Sequence, residues 1–360
     1  SWDSAVPCHN FFAECLRVIK PGGHMIAFSS TRTVCALGMA AQQGGWRVRD
    51  MLHWCYFSGF PKSHDISKAI DREAGAVREV VGNYSVSRVF DGSDLVGGNV
   101  ASGKINITKP ATQDAQRWDG FGTALKPAVE PALLLRKPLE QGLTIAKNVI
   151  KHGTGALNID GCRFAFGDSC WVGDTEIWEP MDRGPSGKDS NVGSEVYGYK
   201  GATINTPNKK GRWPANLYQC PKASRSEREE GLEHLQSKTR SEITGRKEGS
   251  AGLEGSYGDG NNPYSGANYK QPIHNIHPTV KPLKLMRWCC RLIGGQRGST
   301  ILDPFAGSGT TLMAGILEGF DVVGMEMTDD YLPIIEGRVR WAKEQYKREN
   351  AQLSLFGGEL

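Results

Sequence analysis

The sequence predicts an α/β protein built on a parallel, doubly wound sheet. Short apolar strands alternate with amphipathic helices over the first 57 residues, and the same alternation returns after residue 277. Glycine-containing turns end several of the predicted helices. The chain has 360 residues, of which 39% are hydrophobic and 23% are charged. It is therefore long enough to form one large globular domain or two smaller ones.

The N-terminal region carries the first helix–strand alternation. Its predicted elements are a helix at 11–19, a strand at 24–29, a helix at 33–43 and a strand at 46–57. A helix is predicted at 66–74 and a buried strand at 129–136, and the rest of 58–125 is interpreted as loop-rich.

The C-terminal region predicts one β-α-β-α unit after an opening helix. These elements are a helix at 280–293, a strand at 299–303, a helix at 309–318, a strand at 321–326 and a helix at 329–349. Residues 137–270 between the two regions are rich in glycine and charge. We therefore divide the chain into regions 1–136, 137–270 and 271–360.

Charge and cysteine content exclude several classes of protein. The net charge is only +4, with 43 basic and 39 acidic residues, so a DNA-binding surface would have to come from local patches. The nine cysteines include no Cys-x-x-Cys pair, which predicts reduced thiols, no metal site and a cytoplasmic location. No apolar run reaches the roughly 20 residues that a membrane-spanning helix needs.

The most informative stretch is the glycine turn within residues 300–311. A predicted strand ends at Asp303, the turn holds Gly307 and Gly309, and a helix begins at Thr310. A phosphate-binding P-loop needs Lys after the last glycine, and a dinucleotide fingerprint needs a third glycine where this chain has Leu312. The acidic strand end suits a cationic ligand without phosphate, which favours S-adenosylmethionine.

Glu326 supports this interpretation. It follows the next predicted strand, 17 residues after Gly309, where a carboxylate can accept both hydroxyls of a ribose.

The turn LDPFAGSGTT at 302–311 resembles the cofactor motif of DNA amino-methyltransferases, which methylate adenine N6 or cytosine N4. The HPTVKP stretch at 277–282 resembles the partner motif of that family, and its position before the glycine turn matches the permuted, β-type order. Further stretches resemble a bacterial and phage subgroup; they lie at 16–23, 59–71, 126–131 and 212–216. The resemblance covers about 1–136 and 271–360.

The resemblance implies a Rossmann-like methyltransferase sheet with a loop-rich target-recognition region inserted at 137–270. It implies S-adenosylmethionine as cofactor, double-stranded DNA as partner and transfer to a flipped base, with adenine favoured over cytosine. The residues that match the family's cofactor positions are Asp303, Pro304, Phe305, Gly307, Ser308, Gly309, Thr310, Glu326, His277, Thr279 and Lys281.

The family's catalytic motif, Asp/Asn/Ser-Pro-Pro followed by an aromatic residue, has no match in these 360 residues. In the permuted order this motif stands just before the first predicted helix. We therefore expect a truncated chain whose catalytic motif lies upstream of Ser1, with the cofactor turn retained. A non-catalytic homologue that binds DNA or the cofactor, and a methyltransferase for RNA or small molecules, remain as alternatives; an NAD-dependent oxidoreductase is a more distant one.

Basic residues in and near the middle region are the candidate DNA contacts. They are Lys62, Lys209, Lys210, Arg212, Lys222 and Arg225. Trp213 and Tyr218 are predicted to lie in the core.

Overall fold

A computed structural model describes residues 5–59, 63–87, 102–165, 168, 170, 211–239, 242–243 and 272–355. Its helices are α1 His9–Val18, α2 Val34–Gln43, α3 Ile66–Glu73, α4 Gln113–Arg117, α5 Ile145–His152, α6 Arg225–Glu229, α7 Leu283–Ile293, α8 Thr310–Leu317 and α9 Leu332–Leu355. Its strands are β1 His24–Phe28, β2 Arg47–Cys55, β3 Val80–Ser87, β4 Ser102–Thr108, β5 Val129–Arg136, β6 Leu217–Gln219, β7 Thr300–Asp303 and β8 Asp321–Gly324.

The main sheet has the strand order β1-β5-β2-β6. The α/β class is confirmed, and β6 runs parallel to β2. Strand β5, however, lies between β1 and β2 and runs antiparallel to both. Helix α2 returns the chain so that β1 and β2 point the same way with one strand position between them. After β2 the chain returns to the sheet with Val129 opposite Cys55, at the carboxyl end of β2. From there β5 runs back between β1 and β2.

A second sheet pairs β7 with β8 in parallel, from Thr300 opposite Asp321 to Asp303 opposite Gly324. Helix α8 connects these two strands, and α9 follows β8, so the predicted β-α-β-α unit is confirmed. The carboxyl ends of β7 and β8 meet at one edge, where ligands of open α/β sheets bind.

Strands β3 and β4 form an antiparallel ribbon that the sequence analysis interpreted as loop-rich. That interpretation was wrong for 80–87 and 102–108. The ribbon is attached to α3 and α4 through Asp71, which is only 1% exposed. Asp71 accepts hydrogen bonds from the backbone N–H of Ala111 and Thr112 and pairs with Arg78 at 2.7 Å.

Helix α7 joins the two sheets because opposite sides of it are buried in two hydrophobic clusters. Trp288 and Cys289 belong to a cluster that includes Trp54 and Tyr218 of the main sheet. Met286 and Cys290 belong to a second cluster with Ala314 of α8, against which Phe28 and Ile301 also pack. The strands β1 and β7 are therefore held by the same helix.

Region 137–270 contributes elements to both of these units. Strand β6 is part of the main sheet, with Tyr218 4% exposed as predicted. Trp213, predicted to lie in the core, is instead 62% exposed, because it precedes β6 and rests against the Arg163 guanidinium. Helix α6 is fixed to α9, since the fully buried Arg338 donates to the carbonyls of Glu227 and Arg228.

All nine cysteines are unbridged, and six of them are buried. Within the described ranges, every helix is too short or too polar to cross a bilayer.

Candidate active site

The turn after β7 is fixed to the segment after β8 by backbone hydrogen bonds. Met325 N–H donates to the Asp303 carbonyl at 2.9 Å, and Ala306 N–H donates to the Met325 carbonyl at 2.9 Å. The Asp303 carboxylate accepts the N–H of Phe305 at 3.0 Å. Pro304 lies between these two residues, so the hydrogen bond from Phe305 to the Asp303 side chain closes the first part of the turn before Gly307.

Gly307 is required by both its conformation and its surroundings. Its φ is +54°, and a Cβ atom at this position would lie 2.8 Å from Nε2 of His277. Gly309, at the N-cap of α8, has a φ of +76°. The structure therefore brings His277 against the glycine turn, as expected from the two motifs.

Glu326 supports the same turn from the other side. Its carboxylate accepts the N–H of Gly307 at 2.8 Å and the N–H groups of Met327 and Thr328 at 3.0 and 2.9 Å. Burial opposes its ionisation, but the hydrogen bonds from Thr328, Gly307 and Met327 outweigh burial and lower the pKa of Glu326. The carboxylate is ionised at neutral pH, and since three of its roughly four lone pairs accept these N–H groups, about one, on Oε2, is left for a ligand hydroxyl.

His277 is a neutral side chain at the edge of the turn. Burial lowers the pKa of His277 to about 4; the Glu326 carboxylate opposes this and Lys281 reinforces it. Its Nδ1 accepts the N–H of Thr279 at 3.3 Å, so the neutral ring carries its proton on Nε2, which faces Gly307. The Tyr331 ring packs edge-on at 4.8 Å.

Two predicted cofactor contacts point into the protein. The hydroxyls of Ser308 and Thr310 are buried and lie 3.3 Å apart. Arg338 also donates to the Thr310 hydroxyl at 3.3 Å. At these two positions the side chains hold the start of α8, so neither hydroxyl points to the surface of the turn.

Lys281 lies apart from the turn, at the carboxyl ends of β1 and β2. Its Nζ is 3.3 Å from the Glu130 carboxylate and 5.4 Å from the centre of the Phe28 ring. Nζ of Lys222 lies 4.0 Å from the other oxygen of Glu130. We call Glu130, Lys222 and Lys281 the lysine pair cluster.

The short segment from His277 to Lys281 connects the turn with this cluster. His277 touches Gly307 after β7, and Lys281 reaches Phe28 at the end of β1. Four residues of extended chain span at most about 14 Å. The two features therefore belong to one edge of the molecule.

The candidate DNA contacts are distributed differently. Lys62, Lys209 and Lys210 lie outside the described residues. Arg212 is exposed and its backbone pairs with Phe164, while Arg225 begins α6 and donates to the Pro272 carbonyl at 3.1 Å. Of these candidates, the structure brings Lys222 next to a residue from the predicted cofactor motifs, namely Lys281.

The groups around the turn suit a cationic ligand. Asp303 and Glu326 are acidic, His277 is neutral, and the Arg338 guanidinium lies buried beneath Thr310. The amino group and sulfonium of S-adenosylmethionine fit this set, whereas a phosphate does not. No group of three or more His, Cys, Asp or Glu side chains in the described part of the chain is arranged to hold a metal ion.

Sequence reasoning missed two residues of this edge, Tyr331 and Glu130, because each is remote in sequence from the residues that it contacts. The positive φ of 52° at Phe57 is likewise visible only in the folded backbone.

Comparison with known proteins gives the family. A family model described as DNA methylase, of the N6/N4 type, matches residues 2–337. The type II methyltransferase M.HindIII of Haemophilus influenzae is 27% identical over 146 residues, which cover 40% of this chain and 36% of that protein. The type II methyltransferase M2.MboI of Moraxella bovis is 38% identical over 76 residues, covering 21% of this chain and 28% of that protein.

The chain spans about a third of the length of these two methyltransferases. A crystal structure of the M1.HpyAVI–SAM complex aligns with 92% of this chain and 81% of its own, at 15% identity and a TM-score of 0.39. The family match over most of the chain leads to one conclusion: this protein belongs to the DNA methylase family.

Proposed function

We propose that the protein transfers a methyl group from S-adenosylmethionine to the exocyclic amine of a flipped base in double-stranded DNA, adenine N6 in preference to cytosine N4. The observation that carries this proposal is the acidic glycine turn after β7, covered by His277 and supported by Glu326. Family membership agrees with it. The preference for adenine depends on the resemblance to the phage and bacterial subgroup.

In this proposal, Asp303 holds the amino group of the cofactor and Glu326 accepts from its ribose. The bound cofactor supplies an electrophilic methyl group. The chain's own residues orient it: the carboxylates of Asp303 and Glu326 lie on either side of the turn, and the neutral His277 adds no charge that would repel a sulfonium.

We further propose that the catalytic tetrapeptide comes from a segment outside these 360 residues. Among the described residues, β1 pairs with β5 alone and β7 pairs with β8 alone, so each strand has one side without a partner strand. Phe28 and Ile301 of these two strands pack against the same side of α7. This arrangement supports an additional strand between them, with the catalytic loop at its carboxyl end.

Incubation of the full-length protein with labelled S-adenosylmethionine and duplex DNA, RNA or free nucleosides tests the reaction. We expect label in DNA, and N6-methyladenine rather than N4-methylcytosine after digestion to nucleosides. Label in RNA or nucleosides alone would contradict the proposal. Robust methyl transfer by the 360-residue chain by itself would contradict the external catalytic segment.

Calorimetric titration with S-adenosylmethionine tests the site. Asp303→Asn should weaken binding by about 10- to 150-fold, because one charge-assisted hydrogen bond is worth roughly 1.5–3 kcal/mol. Asp321→Asn removes an exposed carboxylate at the opposite end of the same sheet and is the matched control. Equal affinities of the two variants would argue against Asp303 as a cofactor contact.

A further inference from the structure

Basic side chains stand next to one another at the end of the main sheet where β1 and β2 begin. Arg136, the last residue of β5, lies directly opposite His24 of β1 on one side and Arg47 of β2 on the other. Residues paired in this way point to the same face of a sheet, with Cβ atoms about 4.5–5.5 Å apart. His24, Arg136 and Arg47 therefore form a row across three strands on one face.

A fourth basic residue, Arg49, lies beside this row. The pairing of β2 with β5 shifts between Val48 and Asp50, so Arg49 is the extra residue of a bulge. Its positive charge acts on both His24 and Arg136, and it lowers the pKa of each. We call His24, Arg47, Arg49 and Arg136 the arginine cluster.

The arginine cluster has no acidic partner. Over the ranges that the structure describes, no carboxylate forms an ion pair with any of its three arginines. Asp50 is the acidic residue next to Arg49 in sequence, but its carboxylate accepts from the Met51 N–H at 2.7 Å and from the Asn216 amide at 3.2 Å. The cluster is therefore a concentration of uncompensated positive charge in a chain whose net charge is only +4.

The central guanidinium of the cluster is buried. Arg136 is 8% exposed, and its Nε is buried without a hydrogen-bond partner. Burial lowers the pKa of Arg136, and the charges of Arg49 and Arg47 lower it further, yet a guanidinium stays protonated in proteins. A buried charge that lacks both a counter-charge and a full set of hydrogen bonds is costly, so this position favours an anion.

His24 supplies a neutral donor beside the guanidinium. Burial lowers the pKa of His24 to about 4, and the charges of Arg136 and Arg49 add to this effect. The ring is therefore uncharged at neutral pH, and one of its nitrogens carries a proton that can be donated. Arg47 and Arg49 are both exposed, so the row is open to solvent on the side of β2.

The arginine cluster lies far from the candidate active site. Strand β5 has eight residues, from Val129 at the carboxyl end of β2 to Arg136 at its amino end. At about 3.4 Å per residue, these two positions are separated by about 24 Å. Glu130 of the lysine pair cluster is at the first of these ends, so DNA bound at the catalytic edge would lie at the opposite end of the sheet from Arg136.

We propose that the arginine cluster binds a small phosphate dianion, either inorganic phosphate or the phosphate group of a monoester. Arg136 and Arg47 donate to its oxygens, since a guanidinium matches phosphate oxygens in pairs. His24 donates its ring N–H, and Arg49 adds positive charge at the rim. A small anion can reach the buried guanidinium from the exposed side of the row. The inference goes beyond the proposed function and does not depend on it.

Thermal unfolding in the presence of inorganic phosphate tests the site, with the ionic strength held constant by sodium chloride. We expect the Tm to rise by about 3–5 °C when phosphate reaches ten times its Kd, and then to level off as the site fills. Phosphate also stabilises proteins by exclusion from their surface, but that effect grows with concentration without saturating. A rise in Tm that does not saturate would overturn the inference.

Glycerol phosphate, with glycerol as its control, distinguishes the two sources of the anion. A saturable rise with both glycerol phosphate and inorganic phosphate assigns the site to phosphate groups in general. A rise with inorganic phosphate alone assigns it to the free anion. A rise with glycerol equal to that with glycerol phosphate would show that the phosphate group is not what binds.

Substitutions then locate the bound anion. Arg136→Met keeps a long side chain without charge and should weaken phosphate binding at least about tenfold. Arg47→Gln changes an exposed residue, so folding is preserved, and it should weaken binding by about two- to fivefold. Arg72→Gln removes an exposed arginine of α3 and is the matched control. The same Kd for Arg47→Gln and Arg72→Gln would overturn the inference, whether or not Arg136→Met folds.

Binding of a duplex 20-mer, followed by fluorescence anisotropy, separates this site from a DNA surface. We expect Arg47→Gln and Arg72→Gln to bind the duplex equally well, because the arginine cluster is remote from the catalytic edge. A loss of DNA affinity in Arg47→Gln as large as its loss of phosphate affinity would place the cluster in the DNA surface and overturn the inference. Saturable phosphate binding by a full-length protein that transfers no methyl groups would overturn the proposed function alone.

Discussion

Gly307 shows how a single missing Cβ atom sets the geometry of the cofactor turn. Its positive φ and its contact with Nε2 of His277 both exclude a side chain. Gly298 has a comparable φ of +77°, but a Cβ atom there would meet nothing within 4 Å. Substituting Gly298 therefore tests the cost of a positive φ alone, whereas substituting Gly307 adds the cost of a steric contact.

We expect Gly298→Ala to lower the free energy of unfolding by about 1 kcal/mol, the approximate strain of a left-handed alanine. Gly307→Ala should cost about 1–3 kcal/mol more, because its methyl group must displace the His277 ring. It should also weaken binding of S-adenosylmethionine. Urea unfolding of both variants checks the difference, and equal losses would contradict the contact.

Because Phe57 has a positive φ, its glycine variant should be more stable than its alanine variant, the reverse of the usual order. Phe57→Gly should be more stable than Phe57→Ala by about 1 kcal/mol, because glycine adopts a positive φ without penalty. At Val77, which is 91% exposed, the usual order should hold and the alanine variant should be the more stable. Thermal or urea unfolding of the four variants measures both differences. The usual order at both positions would show that residue 57 carries no strain.

At this scale the sequence predicted the acidic and glycine positions of the turn from their spacing after a strand, and the positive φ angles of Gly307 and Gly309 fit a tight turn there. It did not reveal the inward orientation of Ser308 and Thr310. The Thr310 hydroxyl accepts from Arg338, which belongs to a helix later in the chain, and the Ser308 hydroxyl lies 3.3 Å from that of Thr310.

Among the elements, the contact of α3 with α4 and the β3–β4 ribbon depends on one buried carboxylate. Burial raises the pKa of Asp71, but hydrogen bonds from Ala111 and Thr112, together with Arg78, reverse this and lower it to about 2. Since the folded pKa lies below the unfolded value near 3.9, ionised Asp71 stabilises the fold above that value. This stabilisation is lost as the pH falls towards 2.

We therefore expect Asp71→Asn to be less stable than the wild type by a constant amount between pH 7 and pH 5. The difference should shrink as the pH falls from 4 to 2, where the wild-type carboxyl becomes protonated. Urea unfolding at a series of pH values measures it. A difference that stays the same down to pH 2.5 would contradict the assignment.

The elements that sequence reasoning located are those with clear periodicity or a glycine stop, such as α2, β5 and the β7-α8-β8 unit. The β3–β4 ribbon was missed, since Gly82 and Asn83 interrupt its apolar pattern. The antiparallel direction of β5 was also missed, because strand direction is set by the path of residues 56–128 and not by the apolar run itself.

For the whole molecule, α7 is the element that makes the two sheets one structure. Trp288 is 3% exposed, stacks against Phe164 and donates its indole N–H to the Cys162 carbonyl at 3.2 Å. Trp288→Ala should lower the free energy of unfolding by about 3–5 kcal/mol. Met39→Ala, at a residue that is 62% exposed, should change it by less than about 0.5 kcal/mol. Denaturant unfolding followed by far-UV circular dichroism compares them, and similar losses would show that α7 does not join the sheets.

The whole-molecule organisation was only partly accessible from sequence. The family motifs predicted the class of fold. They did not show that β6 and α6, from the region assigned to target recognition, are built into the main sheet and onto α9. These contacts join residues more than a hundred positions apart, and no local pattern encodes them.

The adjacent cysteines of α7 allow the rates of local opening on two sides of this helix to be measured by thiol alkylation. Cys289 is shielded by one hydrophobic cluster and Cys290 by the other, and burial raises the pKa of both thiols, that of Cys290 to about 12. Alkylating reagents can then reach each thiol only when its own side of the helix opens. The alkylation rates of these two consecutive cysteines therefore report separately on the opening of the two hydrophobic clusters. Their relative alkylation rates would show which half opens first.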